Sequence, residues 1–137
     1  MKFLKNFLIV LFLIVLDQLT KYYFFGKQII LFEYFSFRFI SNTGATFGIF
    51  KGYNLLFIFI SIFIIILLLC YYKKFKNNPI ALNLVLAGAI GNLIDRIFRG
   101  YVVDFIDLKF WPVFNLADSF IVIGVLLILY YNLKGKD

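Results

Sequence analysis

From Leu55 to Leu69 the chain reads Leu-Leu-Phe-Ile-Phe-Ile-Ser-Ile-Phe-Ile-Ile-Ile-Leu-Leu-Leu, with Ser61 its lone polar side chain. A helix that is apolar on every face belongs in a large core or in lipid. A chain of 137 residues offers no large core, because small domains keep a high ratio of surface to volume. Hydrophobic residues make up 64% of the chain and its mean hydropathy is +0.97. Soluble domains carry roughly 45–50% apolar residues. The excess must face lipid.

Crossing a bilayer takes about 20 mainly apolar residues. Four segments meet that requirement, at about 3–25, 53–72, 80–98 and 116–133. The first opens Met-Lys-Phe-Leu-Lys and runs on through Phe7–Leu16, in the manner of a secretory signal. No small-residue cleavage site follows, since the next residues are Asp17-Gln18-Leu19-Thr20-Lys21, so an uncleaved anchor helix is expected. Asp17 and Lys21 stand four apart, on one helix face, where they can pair. The third segment is less apolar and holds Asn83, Gly88, Gly91, Asn92, Asp95 and Arg96. The fourth begins at Ala117-Asp118-Ser119 and ends at Tyr130-Tyr131, which fits an aromatic belt. The expected fold is an all-α integral membrane protein with four transmembrane helices, one domain over residues 1–137. A small β-containing interfacial segment lies between the first two helices.

That segment, 26–52, is too long for a simple turn. Ile29–Ile40 is rich in Phe, Ile and Tyr and predicts one or two short strands at the membrane interface. A turn cluster follows, Asn42-Thr43-Gly44-Ala45-Thr46-Phe47-Gly48. The other long connection, Arg99–Asn115, falls on the same side, so the two can form one external platform. No internal repeat or flexible linker is present.

The net charge of +7 does not read as a nucleic-acid stripe. Most basic residues flank the apolar segments, as Lys2, Lys5, Lys73, Lys74, Lys76, Lys134 and Lys136 do, and suit anionic lipid head groups. Membrane lipid, not nucleic acid, is the expected partner. The termini and the turn at 73–79 carry seven Lys, and the opposite side carries seven Lys or Arg. The first set is denser and closer to helix ends, which favours cytoplasmic termini.

The chain has no histidine and one cysteine, Cys70. Ser-His-Asp and Cys-His catalysis are therefore excluded, as are an intrachain disulfide and the common zinc sites. Neither a cofactor nor a metal is expected. Acid–base chemistry falls to Asp, Glu, Lys, Tyr or Cys.

Acidic residues at membrane depth are costly and are functional candidates by default. Asp104, just past the third span, and Asp118, opening the fourth, can meet if the loop between them folds back. Two neighbouring carboxyls cannot both ionise easily, so one keeps a proton near neutral pH. Such a pair supplies a base to activate water and an acid to protonate a leaving amine. Asp118-Ser119 is equally an ordinary helix N-cap, and Asp104 equally a solvated loop residue. Asn92, Asp95, Arg96 and Arg99 read either as support for the carboxyls or as interhelical hydrogen bonding and snorkelling. Gly88 and Gly91 read as close-packing positions, and Cys70 as a small apolar residue.

Five motifs in order give the chain a likeness to a known family. Asp17-Gln18-Leu19-Thr20-Lys21 is the first. Asn42-Thr43-Gly44-Ala45-Thr46-Phe47-Gly48 and Gly88-Ala89-Ile90-Gly91-Asn92-Leu93-Ile94-Asp95-Arg96 follow. Gly100 with Val102-Val103-Asp104-Phe105, and Phe114-Asn115-Leu116-Ala117-Asp118-Ser119, complete the set. Together they resemble the bacterial lipoprotein signal peptidases, or signal peptidase II. Ala87 departs from the pattern, standing where a second glycine is common.

The resemblance implies an aspartic endopeptidase with Asp104 and Asp118 as catalytic pair. It implies that Asn42, Gly44, Asn92, Arg96 and Asn115 line or support the site, with Asp17 and Lys21 nearby. The implied substrates are diacylglyceryl-modified prolipoproteins, cut just before the lipidated cysteine, and globomycin-type cyclic peptides are implied inhibitors. The implied setting is the bacterial cytoplasmic (inner) membrane, with both termini in the cytoplasm and the active site at the outer leaflet. A monomer is expected. Three other readings of the residues stand beside this one. A small exporter would want a carboxylate at mid-bilayer, a phosphoalcohol transferase several Asp on one helix, and an assembly factor only structural Asp.

Overall fold

The computed structural model describes residues 2–44, 52–72 and 79–134. The second half of the turn cluster, Ala45–Gly48, lies outside the described residues, as do Lys73–Asn78 of the basic turn and Lys136 of the tail. In chain order the elements are α1 (Lys2–Phe24), β1 (Gln28–Phe32), β2 (Phe35–Asn42), α2 (Asn54–Tyr71), α3 (Pro79–Phe98), β3 (Val102–Asp107) and α4 (Leu116–Lys134). The four helices are each long and apolar enough to cross a membrane.

The helix whose membrane span is the least apolar of the four, α3, forms the centre. Ala81, Leu82, Val85, Leu86, Ala87 and Ala89 are all buried on it, and α1, α2 and α4 pack around it. Small residues on both helices let α4 come close to α3. A Cβ on Gly88 would overlap the carbonyl oxygen of Ala117, and one on Gly124 would sit 2.7 Å from the carbonyl oxygen of Ala81. The helix that is apolar all round, α2, buries no residue against the protein. Phe59, Phe63 and Ile66 point outward from it, as Phe12 and Leu126 do from α1 and α4. This is the inverse of a soluble bundle: the polar helix is inside and the greasiest one faces lipid. Cys70 is exposed on the outer surface of α2.

The strands form one antiparallel sheet in the order β1-β2-β3. Two strands come from the segment predicted to hold them. The third, β3, comes from the connection between α3 and α4, where the sequence predicts none. Every residue of β3 except Ile106 is buried, so Val-Val-Asp-Phe-Ile-Asp shows no clean alternation of apolar and polar residues. Its pairing joins the two long connections into the anticipated platform. The ring of Phe24, at the end of α1, stacks on Phe37 of β2 (4.3 Å between centroids) and on Phe105 of β3 (4.7 Å). These contacts seat the sheet on the end of the bundle.

Candidate active site

At the junction of sheet and bundle, the register places Asp104 opposite Ile40, and Val102 opposite Asn42. Asn42 therefore ends β2 within reach of Asp104, and its Nδ2 donates to Asp104 Oδ2 at 2.9 Å. The Asn42 carboxamide faces this way because its Oδ1 accepts the backbone N–H of Gly44 at 3.0 Å. A backbone N–H can only donate, so the oxygen must lie toward Gly44 and the NH2 toward Asp104.

The first turn of α4 supplies the second carboxyl. Asn115 caps the helix: its Oδ1 accepts the N–H of Asp118 at 2.9 Å, and its own N–H donates to Asp118 Oδ2 at 3.2 Å. This is a reciprocal capping box, with Asp in the place usually held by Glu or Gln. With its oxygen so engaged, Asn115 turns its Nδ2 to Asp104 Oδ1 at 2.7 Å. One asparagine thus ties both carboxyls together. The other oxygen of Asp118, Oδ1, accepts from Asn92 Nδ2 of α3 at 2.8 Å.

One layer deeper lies a fully buried ionic cluster. Lys21 Nζ contacts Asp17 Oδ2 (2.8 Å), Asp95 Oδ2 (3.0 Å) and Asn92 Oδ1 (3.0 Å). An ammonium has three donors, and all are used here. The cluster also grips the elements above it. Asp17 Oδ1 accepts the N–H of Ala117 at 2.9 Å, and Asp95 Oδ2 accepts the N–H of Val103 at 3.0 Å. Arg99 pairs with Asp95 Oδ1, which also receives Gln18 Nε2 at 3.1 Å. Gly91 leaves room for this, since a Cβ there would meet Asp17 Oδ2.

Asn42, Gly44, Asn92, Arg96, Asp104 and Asp118 all line one cavity of about 710 Å3. Apart from Ser119, its remaining walls are apolar: Phe57 of α2, Ile121 and Val122 of α4, and residues between Leu108 and Phe114. The Arg96 guanidinium lies over the Phe57 ring, 5.2 Å from its centroid. Burial, and then the negative charge of Asp118, push the Asp104 carboxyl up to about 7, against the opposing hydrogen bonds from Asn42 and Asn115. A carboxyl that still holds a proton near neutral pH, facing a second carboxyl in one cavity, is the arrangement by which two Asp split acid and base roles.

Among the residues singled out by sequence, Asn115 lies buried behind the two carboxyls and Asp17 and Lys21 lie beneath them; the other six face the cavity. The sequence does not assign Gln18 to the site and leaves Asp95 open between support for the carboxyls and interhelical bonding; both join the buried cluster. Their signal is the polar run beside Asp17 and the third-helix motif, but their bonds reach 77 residues along the chain. It also did not single out Asp107, whose carboxylate holds Lys109 Nζ at 2.8 Å and Arg38 Nε at 3.0 Å at the base of the cavity wall.

A four-helix membrane bundle capped by a small sheet, with a buried Asp104 and a half-buried Asp118 in one largely apolar cavity, is the architecture of a membrane-embedded aspartic peptidase. The chain belongs to the signal peptidase II family: residues 9–134 match the family model described as signal peptidase (SPase) II. It is 42% identical over 134 residues to a lipoprotein signal peptidase of Halothermothrix orenii, covering 91% of this chain and 92% of that one. It is 48% identical over 128 residues to one of Caldicellulosiruptor bescii, covering 88% and 85%. A bacterial membrane enzyme solved by the in meso method at 2.3 Å resolution superimposes with a TM-score of 0.89 at 37% identity, over 97% of this chain and 90% of the other.

Proposed function

We propose that this chain, acting as one domain and as a monomer, removes the signal peptide from prolipoproteins whose cysteine already carries diacylglycerol, cutting just before that cysteine. The observation that carries the reading is the pair Asp104 and Asp118 in one cavity, with Asp104 pushed up to about 7. Asp104, protonated, hydrogen-bonds the scissile carbonyl oxygen. A water between the carboxyls gives a proton to Asp118 and adds to the carbonyl carbon. The tetrahedral intermediate collapses, the C–N bond breaks, and the cysteine nitrogen leaves with the proton taken up by Asp118. The products are a peptide acid and a free amine, and no covalent enzyme intermediate forms.

Asn42, Asn92 and Asn115 hold the carboxyls, Gly44 orients Asn42, Arg96 faces the substrate backbone, and Asp17 and Lys21 support the layer beneath. The apolar walls of the cavity suit acyl chains and a signal-peptide helix arriving within the bilayer, and the same space suits globomycin-type cyclic peptides. The setting is the bacterial cytoplasmic (inner) membrane, with both termini cytoplasmic and the site at the outer leaflet.

The test is a gel-shift cleavage assay in liposomes, using diacylglyceryl-modified prolipoprotein and comparing wild type with Asp104→Asn and Asp118→Asn. Cleavage by wild type alone supports the reading. Equal cleavage by all three moves the catalytic residues elsewhere, and no cleavage by folded wild type rejects the substrate.

A further inference from the structure

The ammonium of Lys21 and the carboxyl of Asp118 never touch, yet one carboxamide joins them. Asn92 stands between, with Oδ1 toward Lys21 Nζ at 3.0 Å and Nδ2 toward Asp118 Oδ1 at 2.8 Å. The two ends of a carboxamide have opposite hydrogen-bonding character, so whatever fixes one end fixes the other. Lys21 can only donate, and therefore only the oxygen of Asn92 can face it. Asn115 Nδ2, at 3.2 Å from the same oxygen, adds a second donor.

We infer that Lys21 is a positioning residue of the active site, acting through Asn92 to keep an N–H aimed at Asp118. The inference rests on the peptidase reading above and adds a role for a charge that lies outside the cavity. Three observations carry it. Lys21 is completely buried, so water cannot replace it as the partner of Asn92. Its other two donors are taken by Asp17 and Asp95, which fix the ammonium from α1 and α3. Those same carboxylates hold the N–H groups of Ala117 and Val103, the neighbours of Asp118 and Asp104 in sequence. A rotated Asn92 would direct its oxygen at Asp118, placing two acceptors face to face. Asp118 would then turn away from the water it must deprotonate, and turnover would suffer where substrate binding need not.

The test is a double-mutant cycle on cleavage of diacylglyceryl-modified prolipoprotein in liposomes. Lys21→Met alone would leave two neighbouring carboxylates, Asp17 and Asp95, with only the Arg99 charge on Asp95 to offset them, so it is combined with Asp95→Asn. That pair keeps the charge balance of the cluster and retains an oxygen for the Val103 N–H. The double substitution is placed in the wild-type background and in an Asn92→Ala background, and folding is checked by melting temperature. In the wild-type background kcat is expected to fall about tenfold or more with KM unchanged, and in the Asn92→Ala background by no more than about twofold, since coupled residues are non-additive. Losses that multiply in the two backgrounds, or a rise in KM at constant kcat, would overturn the inference. Absence of cleavage by wild type would instead reject the underlying peptidase reading.

Discussion

Asn115 and Asp118 cap each other at the start of α4, the side-chain oxygen of each accepting the backbone N–H of the other. The proposed catalytic carboxylate is thus also a helix cap, with one oxygen held by the backbone of its own helix and the other by Asn92 of α3. The Asn115 amide adds a bond to Asp104 that no other common capping residue can supply. Serine at 115 would keep a cap for the Asp118 N–H but could not reach Asp104. Asn115→Ala should therefore lower stability by about 1 kcal/mol through the lost cap. Asn115→Ser should recover most of that loss in a thermal melt. Both should lose cleavage to a similar extent, and serine restoring cleavage along with stability would show that the bond to Asp104 is dispensable.

The Asp104 carboxyl carries a pH signature. Burial, followed by the charge of Asp118, raises it from 3.8 to about 7, so the folded protein binds a proton there that the unfolded chain has released. The stability this contributes is present below about 4 and is lost as pH rises through about 7. Asn at this position does not titrate. The melting temperature of wild type relative to Asp104→Asn should therefore fall between about pH 4 and pH 8, whatever the offset between them at either end. A constant difference across that range would mean that Asp104 titrates as an ordinary carboxylate.

Lipid made the helices readable and left the sheet only half readable. A span must be long and apolar whatever it packs against, so Leu55–Leu69 declares itself without reference to the rest of the chain. The strand Val102–Asp107 forms through pairing with Ser36–Asn42 far away in sequence, and its near-complete burial removes the alternation that would have marked it. The site divides in the same way. Asp104 and Asp118 are visible as rare acids near one end of the bundle, and Asp17 with Lys21 as a pair on one helix face. What the sequence could not show is that Lys21 also meets Asp95 and Asn92 across to α3, or that a single asparagine bridges the two carboxyls. Those contacts depend on how the helices pack.

That packing is itself testable at two glycines. At Gly88 an added methyl would collide with the carbonyl of Ala117, the residue before Asp118. At Gly124 it would collide with Ala81 and Val85, farther along the same helix pair. Overpacking of this kind typically costs about 1–3 kcal/mol. Gly88→Ala and Gly124→Ala should both lower the melting temperature. At a temperature where both remain folded, only Gly88→Ala should show a reduced kcat, because only there does the displaced backbone carry a member of the proposed dyad. Equal kcat losses in the two variants would mean that the α3–α4 interface moves as one rigid unit.

The wall of the cavity, from Leu108 to Phe114, is anchored at its base by Asp107. Burial alone would raise this carboxyl, but the hydrogen bonds from the Lys109 side chain and backbone, with the charge of Arg38, hold it down to about 2. Its contribution is present above about 4 and fades only as pH falls toward 2, so it is constant over any ordinary assay range. Arg38 and Lys109 are both substantially exposed, and such pairs are worth at most about 1 kcal/mol. Asp107→Asn should therefore leave the fold and the dyad intact while loosening the wall. We expect KM to rise about threefold to tenfold with kcat nearly unchanged, and the ratio of variant to wild-type KM to stay flat from about pH 5 to pH 9. Raising the salt concentration should screen the exposed pairs and bring the wild-type KM toward that of the variant. A fall in kcat with KM unaltered would place Asp107 in support of the chemistry instead of the wall.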